Sequence, residues 1–177
     1  MIRMVFSGYG GQGVLTLGEI VATIAMKKGK HVTWMPSYGP EMRGGTANCA
    51  VIVSEKLIGS PIVLSNIDIL VAMNHASVNK FVPKMRAGGL VMVNSSIVTD
   101  KIINAELDIL EIDATNIAGK VGDIRVANMV MLAGFLKKTD MFTIGDVTAV
   151  LEQKFAGSRS TELVPLNIKA IEAGMAQ

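Results

Sequence analysis

Within its first fourteen residues the chain passes from an apolar run, Ile2–Ser7, to a helix-like run starting near Val14. The passage is Gly8-Tyr9-Gly10-Gly11-Gln12-Gly13. The glycines at 8, 10 and 13 satisfy the spacing G-x-G-x-x-G. In that pattern one glycine makes a tight turn, one lets a pyrophosphate approach the backbone, and one lets the helix pack on the strand. The amides at the helix start then face an anion. A strand, a glycine turn and a helix in this order restrict the chain to layered α/β folds.

The rest of the pattern is consistent with that class. Val14, Leu17, Val21 and Ile24 recur at helical spacing, Gly29 stops the helix, and Lys27 and Lys28 lie in its last turn, where the helix dipole favours cations. His31–Met35 reads as a second strand, completing a β-α-β unit of right-handed crossover. Pro36–Gly45 reads as a loop. The following Thr46–Ile62 segment begins as a strand and reaches a polar turn near Ser54–Lys56, which predicts a hairpin or an edge strand.

Asp68–Asn74 reads as a buried parallel strand. His75–Arg86 reads as a helix shortened or bent by Pro83 and ended by Gly88 and Gly89. Leu90–Asn94 and Leu107–Asp113 are further strands. The last third is helical: Ile124, Met131, Leu132 and Phe135 are assigned to one inward face. Thr143-Ile144-Gly145-Asp146 fits a capping box, with Val147, Val150 and Leu151 turned inward. A final helix ends at Gly174. The expected fold is a Rossmann-like, doubly wound, mostly parallel α/β sheet with an edge hairpin and a helical C-terminal third, in one domain over residues 1–177.

A dinucleotide site needs an acid about 20 residues beyond the glycines, at the end of the second strand, to hold the ribose. That strand ends here in Trp34, Met35, Pro36 and Ser37, and Glu41 and Arg43 lie in the loop beyond. The glycine turn therefore has two open readings: close packing alone, or close approach by an anion or another backbone. Composition removes other classes. A net charge of +2 is too small for a nucleic-acid surface. One cysteine excludes an internal disulfide and a self-contained iron–sulfur cluster, and two distant histidines argue against a metal site. No leader pattern or membrane-length apolar run is present, so a cytoplasmic location is expected. Cys49 alternates with apolar neighbours and reads as a buried small hydrophobe, and the twelve methionines read as core filler.

The strings GYGGQGV, SYGPEMRGGTANCAVIVS, SPI, GGLVMVNSS, NMVMLAG and NIKAIEAG, in this order, resemble the gamma subunit of 2-oxoacid:ferredoxin oxidoreductases. The same module occurs inside single-chain pyruvate:ferredoxin oxidoreductase and indolepyruvate oxidoreductase. The resemblance implies a complex that uses thiamine diphosphate, iron–sulfur clusters and coenzyme A (CoA) to convert a 2-oxoacid to an acyl-CoA. It implies alpha and beta partner subunits, a delta subunit where the assembly has one, and ferredoxin reached through those chains. No catalytic residue, metal or cofactor falls to this chain alone. The thiamine pattern G-D-G with a distant asparagine is absent, and Gly122–Asn128 reads as helix start and core packing.

The candidate site residues are two loops and a rim. Gly8, Tyr9, Gly10, Gly11, Gln12, Gly13, Tyr38, Glu41, Arg43, Gly44 and Gly45 are expected at a subunit interface or facing CoA. Arg43 suits a phosphate or carboxylate. The alternative for Glu41 and Arg43 is a local ion pair closing their loop. Asn74, His75, Asn94 and Ser95, with Ser96, Asp113 and Thr115 nearby, are expected along the carboxyl ends of the strands. There they act as ligand contacts or as ordinary helix caps. Tyr9, Trp34 and Tyr38 read as interface aromatics, with core as the alternative for Trp34. The resemblance leaves two competitors: a free-standing dinucleotide-dependent oxidoreductase and a pure scaffold without ligand contact.

Overall fold

The computed structural model describes residues 1–39, 45–156 and 163–177. Its centre is a six-stranded sheet ordered β2-β3-β1-β4-β5-β6. The strands are β1 (Ile2–Tyr9), β2 (His31–Tyr38), β3 (Thr46–Ser54), β4 (Ile67–Ala72), β5 (Met85–Asn94) and β6 (Asp108–Ile112). β1, β4, β5 and β6 run parallel, while β3 lies antiparallel between β1 and β2. The helices are α1 (Val14–Lys27), α2 (His75–Phe81), α3 (Ala114–Val121), α4 (Ala127–Thr139), α5 (Ile144–Phe155) and α6 (Val164–Met175).

The sheet is covered unequally. Side chains of α1, α3, α4, α5 and α6 share one core with Met4, Phe6, Val51 and Met92 of the sheet. The opposite face, with Val5, Leu70 and Val91, is covered by Phe81 of α2 and by Val98, Ile102 and Leu107 of the β5–β6 crossover. This is a doubly wound α/β fold with one thick layer and one thin one. No helix among the described residues is long and apolar enough to cross a membrane.

The predicted faces of α1 and α5 are as observed: Val14, Leu17, Val21, Ile24, Val147, Val150 and Leu151 are all buried. Gly29, at φ 75°, ends α1, with Lys30 N–H donating to Ala25 C=O and Gly29 N–H to Met26 C=O, a Schellman closure.

Several expectations need correction or refinement. β2 continues through Pro36–Tyr38, so these residues are strand rather than loop. The edge pair is β2–β3, so β3 pairs with the strand before it instead of turning back at Ser54–Lys56. β2 is parallel to β1, as a β-α-β unit requires, but is separated from it by β3. α2 stops at Phe81, and Pro83 sits in a short 3₁₀ turn, Val82–Lys84. Gly88 and Gly89 then lie within β5, where the pairing jumps from Ile67–Met85 to Ile69–Leu90. Arg86 in this irregularity pairs with Asp68, whose other oxygen accepts the Arg3 N–H at 2.7 Å. Finally, Ile124 is 63% exposed in a 3₁₀ turn ahead of α4. The inward face needs no help from it, because Ala127–Leu136 is buried on every side.

The capping box is present. Thr143 Oγ1 accepts the Asp146 N–H at 3.2 Å, and Asp146 Oδ2 accepts the Thr143 N–H at 2.8 Å. Lys28 Nζ stands 3.0 Å from the same carboxylate, tying the end of α1 to the start of α5. The Thr143 N–H and then Lys28 hold the Asp146 carboxyl below the usual carboxylate range. This support is present at pH above that range and is lost as pH falls through the lowered value. Thr143→Ala is expected to cost about 1 kcal/mol in chemical denaturation. An unchanged denaturation midpoint would rule the box out as a stabilising element.

Candidate functional site

The glycine turn joins the end of β1 to the start of α1. Gly8 is still in the strand and fully covered: a Cβ there would meet Gln12 Oε1 at 2.7 Å, Val14 Cγ1 at 2.9 Å and Met73 Cβ at 3.0 Å. Gly11 and Gly13 take φ 95° and 70°, in the region glycine favours. Gly13 is the N-cap of α1, which carries no side-chain cap and no acid in its first turn. The positive end of the helix thus has no capping side chain or first-turn acid of its own. Tyr9, Gly10 and Gly11 are exposed.

Hydrogen bonds fix this bare backbone. Gln12 Oε1 accepts the Tyr9 N–H at 2.7 Å and Asn74 Nδ2 at 3.2 Å, while its Nε2 donates to Met73 C=O at 3.3 Å. Gly10 N–H donates to Gly45 C=O at 2.9 Å. That bond brings the glycine turn and Gly45, just ahead of β3, together. Tyr38, 72% exposed, and Tyr9, 40% exposed, flank them, and Trp34 is 39% exposed rather than core. Glu41, Arg43 and Gly44 lie outside the described residues.

The rim is assembled largely as helix caps. Asn74, 1% exposed, caps α2 through Oδ1, which accepts the N–H and Oγ–H of Ser77. Ser96 Oγ caps α3 from the neighbouring crossover, accepting the N–H groups of Thr115 and Asn116 and donating to Asp113. Buried Asn94 donates to Thr115 Oγ1 at 2.8 Å. His75 Nε2 accepts the Thr99 N–H at 3.4 Å, and its Nδ1 faces Asp100 at 3.5 Å, so it braces the β5–β6 crossover. Ser95 lies away from the glycine turn, in a groove of about 580 Å³ beside Leu110, Ile117, Lys137 and Lys138.

A cleft of about 180 Å³ opens between the glycine turn and the 3₁₀ turn before α4, lined by Gly11, Gln12, Met73, Thr115, Ile124 and Arg125. Arg125 at its edge is paired with Asp123 through Nε at 2.8 Å and an Nη at 2.6 Å. The pair lowers the Asp123 pKa and raises that of Arg125. Sequence reasoning missed this wall and also missed Asn128. Asn128 is 6% exposed, and its Nδ2 donates to Gly13 C=O at 3.3 Å. The signal was available: a lone asparagine in Ala127–Gly134, an otherwise apolar stretch, needs a buried partner.

Cys49 is buried, burial pushes its thiol up to about 12, and it donates to Val14 C=O. No group of three or more His, Cys, Asp or Glu suited to a metal exists among the described residues.

Comparison with known proteins matches residues 3–177 to the pyruvate ferredoxin/flavodoxin oxidoreductase family. The chain is 34% identical over 173 residues to ketoisovalerate oxidoreductase subunit VorA of Methanothermobacter thermautotrophicus, covering 98% of this chain and 35% of that one. It is 32% identical to 2-oxoglutarate synthase subunit KorC of Methanothermobacter marburgensis, covering 95% and 91%. The chain thus spans about a third of the length of the VorA relatives and nearly all of KorC. In structure it is similar to the gamma subunit of keto/oxoacid ferredoxin oxidoreductase from Geobacter sulfurreducens PCA, with TM-score 0.82 and 29% identity over 99% of this chain and 97% of that one. A chain of the Magnetococcus marinus 2-oxoglutarate:ferredoxin oxidoreductase shares the fold, with TM-score 0.88 at 21% identity over 99% of this chain and 30% of its own length.

Proposed function

We propose a function from the family to which the chain belongs, that of the pyruvate ferredoxin/flavodoxin oxidoreductases. The chain serves, as a single domain over residues 1–177, as the gamma subunit of a cytoplasmic 2-oxoacid:ferredoxin oxidoreductase. The complex converts a 2-oxoacid, CoA and oxidised ferredoxin to acyl-CoA, carbon dioxide and reduced ferredoxin. Alpha and beta subunits, and delta where present, carry thiamine diphosphate and the clusters and meet ferredoxin. A cysteine-ligated cluster does not fit this chain, whose one cysteine is buried and bonded to a main-chain carbonyl. The near full-length match to KorC and the likeness to the Geobacter gamma subunit support the assignment.

The chain's own contribution is a surface. The observation that carries this is the exposed backbone of Gly10 and Gly11 beside an uncapped helix start. Phosphate groups favour that arrangement. The turn, Tyr38 and Gly45, together with Glu41, Arg43 and Gly44 beside them in sequence, are assigned the role of contacting the partner subunits and CoA. In the reconstituted complex, Arg43→Ala is expected to raise KM for CoA by roughly tenfold, the effect of losing a charge-assisted hydrogen bond. Wild-type KM together with wild-type assembly would exclude this role.

A further inference from the structure

We infer that Gln12 is the positioning residue of the glycine turn, setting where the Gly10–Gly11 backbone stands before anything binds it. The inference rests on the reading that this turn faces CoA. Each orientation in its network is dictated by a main-chain group whose polarity is fixed. The Ser77 N–H requires the oxygen of Asn74, so Asn74 must turn its NH₂ toward Gln12. The Tyr9 N–H independently requires the oxygen of Gln12. Gln12 is left with its NH₂ toward Met73 C=O, an acceptor. Two donors and one acceptor meet one carboxamide, which among side chains of this length is the property of glutamine. Glutamate would set an oxygen against Met73 C=O, and lysine has no acceptor for Tyr9 or Asn74.

The same network explains the first glycine. A Cβ at Gly8 would stand 2.7 Å from Gln12 Oε1, so the strand is bare there to admit the carboxamide. Gln12 N–H also donates to Tyr9 C=O at 3.1 Å, closing the turn from its main chain as well. The clamp joins the ends of β1 and β4 and the cap of α2. The turn is thereby held rigid although Tyr9, Gly10 and Gly11 are exposed.

Two variants test this. Gln12→Met keeps the reach and removes every polar partner. Asn74→Asp keeps the α2 cap but sets oxygen against Gln12 Oε1. Exchange of the Tyr9 amide in the full chain is expected to quicken about tenfold in each, the effect of one hydrogen bond. In the reconstituted complex KM for CoA is expected to rise by a similar factor, more than kcat falls. Unchanged Tyr9 exchange in both variants overturns the clamp. Faster exchange with unchanged KM leaves the clamp standing and overturns the CoA reading of the turn.

Discussion

Replacing Gly13 with alanine lowers the melting temperature of the full chain by roughly 10 °C. Two terms act together. Gly13 sits at φ 70° and ψ 18°, a left-handed conformation that costs an L-residue about 1–2 kcal/mol. The new Cβ would also stand 2.3 Å from Asn128 Nδ2, and overpacking of that kind costs about 1–3 kcal/mol. A chain of this size loses about 2–4 °C per kcal/mol. Asn128→Ala largely separates the terms, because the backbone strain remains while the closest contact retreats from 2.3 Å to the Cβ at position 128, 3.3 Å away. A Gly13→Ala melting point within about 2 °C of wild type would contradict the left-handed turn.

Gly18→Leu is expected to destabilise by about 3 kcal/mol, the upper end for overpacking, read as a lowered denaturation midpoint. Here α1 lies directly on the sheet. A Cβ at Gly18 would meet Cys49 Sγ at 2.3 Å, Phe6 Cδ2 at 3.2 Å and Val51 Cγ2 at 3.3 Å. The sulfur is the critical neighbour, so the smaller Gly18→Ala should depend on it. Against wild type, alanine gains about 1 kcal/mol of helix propensity and meets the clash. In a Cys49→Ala background the 2.3 Å clash is gone, only the contacts to Phe6 and Val51 at 3.2 and 3.3 Å remain, and Gly18→Ala should cost less than it does in wild type. Additivity of Gly18→Ala and Cys49→Ala would show that the two positions do not touch.

Local periodicity made much of this fold legible. Val14, Leu17, Val21 and Ile24 declare the face of α1, and Thr143 with Asp146 declares the start of α5, because both are decided within a few residues. Strand order is not a local property. Nothing in Thr46–Ser54 states that it inserts antiparallel between β1 and β2, since that depends on pairing partners far along the chain. Gly88 and Gly89 were misplaced because glycine marks an irregular strand as readily as a helix end. At the site, the sequence pointed to the glycine turn and the rim. Caps were one of its two readings of Asn74 and Ser96, and the structure shows them as caps, but it could not show that Asn128, 115 residues beyond Gly13, closes on it. Buried polar contacts across such separations follow from packing, which periodicity does not encode.

The inserted strand has a consequence for what this scaffold can become. β2 stands two strand spacings from β1, about 10 Å. In dinucleotide enzymes a carboxylate at the tip of the adjacent parallel strand grips the sugar beside the glycines. Here the adjacent strand runs the opposite way, so an aspartate grafted onto Tyr38 would stand one strand out of reach. Connectivity, as much as the missing acid, withholds from this turn the grip on the sugar that a nicotinamide carrier has.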